Sequence, residues 1–423
     1  MPEEKFMTKF YLGSKTKAYL GAGLLATSLA MSNTTQAGLL YNITDLGTLG
    51  GEPSHVSYGQ GINAFGKVTG SSQTPDGGSQ HAFVTNGSGA MIDLGTLGGN
   101  SSEGRGINAS GLVTGNVSKS DGFSHAFVTN GNGQMVDLGT LGGSYSFGNA
   151  LNDSGQVTGS SDIVNSMGYS RERAFVTNSS GQLVDLGTLG DGYFSRGQDI
   201  NASGQVTGFS SVNYNGTFGS DTIYHAFVTN SSGTMVDLGS LGGSSSGNAI
   251  NDSGQVTGSA ETDSIYRINH AFVTDSNGQI IDLDPLSEKY SSAGRGINNA
   301  GQVVGQYQEK VVVYEYGRYG EIIGQHIEGG ETRSFVTING VMVDLDSLLV
   351  ASGAGWKLHG TAGIDYAVAT SINDAGQITG YGNHNGQTHA FQMSPVPTPA
   401  AVWMMGVGLL SLLGFNPRHL AIA

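Results

Sequence analysis

His125-Ala126-Phe127-Val128-Thr129-Asn130-Gly131-Asn132-Gly133-Gln134-Met135-Val136-Asp137-Leu138-Gly139-Thr140-Leu141-Gly142-Gly143 recurs, with small changes, from one end of a 423-residue chain to the other. A second phrase, Gly106-Ile107-Asn108-Ala109-Ser110-Gly111-Leu112-Val113-Thr114-Gly115, alternates with it. The Ile-Asn phrase centres on Asn63, Asn108, Asn152, Asn201, Asn251, Asn298 and Asn373. The Asp-Leu phrase centres on Asp45, Asp93, Asp137, Asp185, Asp237, Asp282 and Asp344, and the Ala-Phe phrase on Phe83, Phe127, Phe175, Phe227, Phe272, Phe335 and Phe391. Each occurs seven times. A repeat of this length is one supersecondary unit that stacks against its neighbours.

Each unit predicts four short strands. Ile107-Asn108 ends the first, and Asn108-Ala109-Ser110-Gly111 turns the chain, with Asn supplying a side-chain acceptor and Gly the left-handed residue. Leu112 to Thr114 is the second strand and His125 to Thr129 the third. Asn130-Gly131-Asn132-Gly133 makes another hairpin, and Met135 to Leu138 is the fourth. In the sixth unit that hairpin shrinks to Asn339-Gly340. The pattern is all-β, and four strands in about 45 residues match a propeller blade. The chain opens on an unpartnered fourth strand (Tyr41 to Leu46) and finishes on an unpartnered third (His389 to Gln392). Pairing them closes a seven-bladed β-propeller without open edges. An open β-solenoid is the alternative.

The 70 glycines follow no Gly-X-Y period, and 37% hydrophobic residues argue against a disordered tract. Glycine at this level fits many tight turns. Zero cysteine removes disulfide and thiolate chemistry. The formal charge is −15, and both termini are net positive, so the repeats are more acidic still. Such a surface repels phosphate backbones and speaks against nucleic acid as a partner.

The repeat resembles the HAF repeat of bacterial extracellular proteins, so called for His-Ala-Phe, and residues 41–392 carry it. The seventh Asp-Leu phrase has a further family form, Asp344 to Leu349 with Gly353-Ala354-Gly355-Trp356. The resemblance implies location and architecture, and no reaction. Residues 1–37 read as a signal peptide. Lys5, Lys9, Lys15 and Lys17 are followed by the apolar run Ala18 to Met31, and small residues place cleavage after Ala37. At the other end, residues 394–399 form a linker, and Ala400 to Phe415 is an uncharged apolar helix before a short tail ending at residue 423. Val396-Pro397-Thr398-Pro399-Ala400-Ala401-Val402-Trp403 resembles the PEP-CTERM sorting signal of Gram-negative bacteria, with Thr398 where Glu is usual and one cation, Arg418, in the tail. This implies recognition by an exosortase, removal of the helix and delivery to the cell surface or extracellular matrix. A retained membrane anchor is the alternative. The repeat domain then spans residues 38–393.

A residue present in every unit is a structural device before it is a catalyst. The seven Asp carboxylates are expected to accept backbone N–H groups of the turn that follows each. The His of His-Ala-Phe stands at His81, His125, His225, His270 and His389, with Arg173 and Ser334 read in its place in the third and sixth units. Arg at one position rules out a ring of metal-bound imidazoles, and cross-strand hydrogen bonding is the expected role. No cofactor, metal or catalytic residue is assigned.

Function is sought where the repeats differ. Both tight hairpins of a unit lie on one face, so the variable second-to-third-strand loops share the other. Their aromatics, Phe123, Tyr169, Tyr214, Phe218, Tyr224 and Tyr266, suit stacking against sugars. The largest departure, residues 306–332, reads as an added hairpin and offers Tyr314, Tyr316, Arg318 and Tyr319 for a partner contact. The expectation is a non-catalytic surface or matrix protein that binds extracellular polysaccharide or another surface protein. The alternative is a polysaccharide-active hydrolase drawing on Asp162, Glu172, Asp221, Glu261 or Asp263. A passive coat is a third reading.

Overall fold

A computed structural model describes residues 7–9, 39–51, 54–164, 168–212, 222–263, 268–284, 289–316, 322–360 and 367–397. The second repeat shows the unit. Ser101–Ile107, Val113–Ser118, Ser124–Thr129 and Met135–Asp137 form one antiparallel sheet in chain order. Seven such sheets succeed one another, and first strands of consecutive blades pack side by side. This is a seven-bladed β-propeller.

The seventh blade is composite. Val368–Ile372, Ile378–His384 and Gln387–Pro395 come from the C-terminal side, and Tyr41–Asp45 supplies the outer strand. The register runs from Tyr41 opposite Pro395 to Asp45 opposite Phe391. The ladder continues with Val396 N–H donating to the Leu40 carbonyl at 2.8 Å. The propeller body therefore extends past residue 393, where composition alone placed its end, because the outer strand needs Ser394 and Pro395 as partners. Thr398, Pro399, Ala37 and the apolar run from Ala400 lie outside the described residues. Among the described residues no helix is long and apolar enough to cross a membrane.

Two glycines in each repeat explain why the blades look alike. In the Asn-x-x-Gly turn, Gly111 has φ +87° and its six equivalents are also positive, a conformation that costs Gly nothing. In the Val-Thr-Gly strand, a Cβ on Gly115 would lie 1.8 Å from the Glu103 carbonyl oxygen and 3.0 Å from the Phe127 ring. The bare backbone lets the His-Ala-Phe ring lie across the neighbouring strand, and all seven of these Phe are fully buried. The shortened hairpin of the sixth blade is a type I′ turn, with positive φ at both Asn339 and Gly340.

Core apolar residues pack mainly between consecutive blades. Ala226 of the fourth blade packs with Ile250, Val256, Ala260 and Phe272 of the fifth. In six of the seven blades a serine near the start of the first strand staples the same seam. Ser146 donates to the Gly139 carbonyl and accepts Ala126 N–H, both in the blade before. The seam between the sixth and seventh blades replaces the staple with main chain, as Ser334 N–H donates to Leu358 O.

That register corrects one sequence assignment. Arg333, and not Ser334, occupies the His position of the sixth blade. Phe335 faces Gly305 and Arg333 faces Tyr307, so Ser334 stands where the other blades have Ala. The motif is Arg-Ser-Phe, with both of its first two residues changed.

Candidate functional site

The first strands line a central channel. Gln60, Arg105, Asn149, Gln198, Asn248 and Arg295, each three residues after a staple serine, and Thr370 of the seventh blade border a cavity of about 520 Å³, one residue from each blade. Hydrogen bonds pass from blade to blade around this collar. Arg105 donates to Glu103 and, at 2.8 Å, to Asn149, whose amide reaches Gly197 O at 2.7 Å. Asn248 does the same to Gly294 O. Arg295 stands exposed in the collar.

Asp199 replaces the small residue found here in the other blades. Burial pushes its carboxyl up to about 7, against the pull of the Ile250 and Ile200 N–H groups it accepts and with the help of Asp252. Its oxygens are committed to the main chain of two blades.

Toward the hairpin face the channel narrows to a second cavity of about 240 Å³, ringed by the repeat asparagines. Each Asn is buried, and each Nδ2 donates to the carbonyl of the next. Asn63 reaches Asn108 O at 3.0 Å, and the chain of bonds continues through Asn152, Asn201, Asn251 and Asn298. Asn373 closes it on Asn63 O at 2.9 Å. The same Asn residues hold their own turns through Oδ1, as Asn251 does with Gln255 N–H.

The variable-loop end is aromatic and charged. Tyr58 and Tyr381 meet edge to face at 5.0 Å across the closing seam. Phe194, Phe209 and Tyr224 form a second cluster, with the Arg196 guanidinium over both phenylalanines. Arg196 also grips Glu172 through two bonds of 2.7 and 2.8 Å. Of the aromatics singled out from the loops, Phe123 stacks edge-on with Tyr145, Tyr169 is exposed and Tyr224 joins the cluster. Tyr214, Phe218 and Tyr266 lie outside the described residues. Tyr58, Phe194, Phe209 and Tyr381 lie on or beside strands, where the repeat pattern sets them apart less than it does loop residues.

Among the described residues the candidate acids do not converge on a pocket. Asp162 and Glu172 are cross-strand partners, but Ser170 holds the first and Arg196 the second. Burial pushes the Asp162 carboxyl up, with Glu172 adding to it. Glu261 accepts Ser244 N–H, and Asp221 and the side chain of Asp263 lie outside the described residues. In the added hairpin, Tyr314 lies in the strand Val303–Tyr316, which pairs with Ile322–Ile338. Met7–Lys9, inside the segment read as a signal peptide, adds a further strand there, with Thr8 opposite Tyr314. The Tyr316 side chain, Arg318 and Tyr319 lie outside the described residues.

The repeat Asp and His residues are structural. All seven Asp accept the N–H two residues on, from Gly47 to Asp346, at 2.7 to 3.0 Å. Five also meet the repeat His through Nδ1. Arg333 bonds Asp344 in the sixth blade, and Arg173 donates to Tyr193 O in the third.

These features define a velcro-closed, seven-bladed propeller with a polar channel. Residues 219–394, less than half of the chain, match a family described as a protein of unknown function, DUF3466. No curated protein matches the chain. Among solved structures it is similar to the β-propeller domain of the Trilobed protease from Pyrococcus furiosus, at 9% identity and TM-score 0.49, covering 81% of this chain and 98% of that one. It is also similar to XC5397 from Xanthomonas campestris, a gluconolactonase, at 9% identity and TM-score 0.39, over 86% and 94%. A puromycin hydrolase matches at 13% identity and TM-score 0.47, over 80% of this chain and 53% of its own length. Identities this low speak to fold alone.

Proposed function

We propose that this protein is an exported, non-catalytic binding module of the cell surface or extracellular matrix, taking polysaccharide at the variable-loop end of its channel. One observation carries the reading: a polar collar of amides and Arg295 opens on the face where Tyr58, Tyr381, Phe209 and Tyr224 gather. Amide and guanidinium groups suit sugar hydroxyls, and aromatic faces suit pyranose rings. Among the described residues the candidate acids Asp162, Glu172 and Glu261 are already hydrogen-bonded, which favours binding over hydrolysis.

In this proposal residues 1–37 direct export and an exosortase-type system acts at Val396 to Pro399. The C-terminal helix holds the chain in the membrane until then, or permanently. A surface protein is the other ligand class, with Tyr314 and its hairpin as the contact.

A glycan-array and polysaccharide screen on the full chain tests the reading, beside Arg295→Ala and a variant lacking residues 306–332. Saturable binding without product release, weakened about 10-fold by Arg295→Ala, is expected. Loss confined to the hairpin deletion moves the contact to that hairpin. Release of reducing sugar overturns the non-catalytic assignment.

A further inference from the structure

The seventh blade departs from the others at its Asp. In five of the other blades a repeat Asp meets one His or Arg, but Asp45 meets two imidazoles. His389 Nδ1 lies 2.9 Å from Asp45 Oδ2, and His384 Nδ1 lies 2.9 Å from the same oxygen. The position of His384 is taken by Lys119 in the second blade, which also bonds its Asp, and by Glu309 in the sixth. Only here do the described residues bring three metal-ligating side chains together, with all ligand atoms within 4.8 Å of one another.

We propose that Asp45, His384 and His389 form a binding site for a zinc-like divalent cation. Two imidazole nitrogens and one carboxylate oxygen are a donor set that late first-row ions prefer, and they leave a fourth position for water. The other carboxylate oxygen is not needed by the ion, since Asp45 Oδ1 accepts Gly47 N–H at 2.8 Å. A cavity of about 590 Å³ lies against the three residues and gives the fourth position access.

The surroundings hold the ligands still. His384 is the last residue before a type I′ turn at Asn385-Gly386, and Trp356 stacks on its ring at 4.6 Å and 11°. Its Nε2 lies 3.1 Å from the Asn385 amide, which can turn to accept the Nε2–H that metal binding at Nδ1 requires. His389 Nε2 is buried with no hydrogen-bond partner, so its change of tautomer opposes binding and sets the affinity below that of a structural zinc centre.

The ligands come from both ends of the propeller. Asp45 precedes His384 by 339 residues and His389 by 344, so the ion is a clasp on the closing strand. This is independent of the polysaccharide reading.

The test is zinc chloride titration of the metal-stripped full chain by calorimetry, with thermal melting alongside and cobalt(II) spectra to report tetrahedral nitrogen and oxygen ligation. His384→Gln is the working variant, because His384 lies outside the closure ladder. His270→Gln, in a blade with one His, is the control. One zinc per chain is expected, with Tm raised by about 2–5 °C at a hundredfold excess over Kd. Both effects should vanish in His384→Gln and persist in His270→Gln. No saturable binding in the parent chain, or equal binding in His384→Gln, overturns the proposal.

Discussion

Replacing Asn251 with Asp tests the asparagine ring with one atom changed. Asn251 Nδ2 donates to Asn298 O at 3.1 Å and to Gln255 Oε1 at 3.0 Å, while Oδ1 accepts N–H from Ser253 and Gln255. Aspartate keeps both acceptor bonds and turns the donor into a second acceptor, facing a buried carbonyl. The cost at pH 7 is the loss of both donor bonds, with the Asn298 carbonyl left unsatisfied beside a desolvated carboxylate, about 3–4 kcal/mol. With a urea slope near the top of the usual range, the midpoint falls by about 1 M. Burial and the facing carbonyl raise the folded pKa of the new acid above its unfolded value. Stability is therefore retained at low pH, where the acid O–H donates to Asn298 O, and is lost as pH rises through the folded pKa. Urea melts of parent and variant at pH 4 and pH 7 read this directly. An unchanged midpoint at pH 7, or an equal loss at both values, would refute the role given to the ring.

Other perturbations reach other parts of the fold. Phe227→Ala empties a fully buried site between strands and should cost about 3–5 kcal/mol, seen as a lower urea midpoint with the fold retained by circular dichroism. Asp199 has a folded pKa near 7, above its unfolded value, so its contribution is present below about pH 4 and declines up to about pH 7. Stability measured from pH 5 to 8 should fall, and Asp199→Ala should flatten that slope. Deleting residues 1–45 exposes the edge of Gln387–Pro395 and the buried Met393, and should yield self-associating protein by light scattering.

Much of the architecture was legible because it repeats. A feature that returns seven times in one chain separates itself from local accident, so strand number, hairpin placement and the closing pair could be read from Asn, Asp and Phe spacing. The role of the repeat Asp was legible for the same reason. The serine staple was equally repetitive, at Ser57, Ser102, Ser146, Ser195, Ser245 and Ser292, yet Ser looked like one more turn residue. Arg333 is easily misplaced because the sixth motif changes at two adjacent positions; counting back from Phe335 puts it in the His position, and the strand register agrees. The cluster at Asp45 was not legible at all. Its members meet only when the ends of the chain pair, and His384 belongs to no repeated phrase.

The closing strand also has a consequence in time. Tyr41–Asp45 is among the first parts of the repeat domain to leave the ribosome, and its partner, Gln387–Pro395, is among the last. Until that partner arrives, the first-made strand has no edge to join, and the ring cannot shut around Asn373 and Asn63. The final fold thus waits for the whole domain to emerge. Under the export proposed above, a chain threaded through a passage while it is being made would set its last lock on the far side.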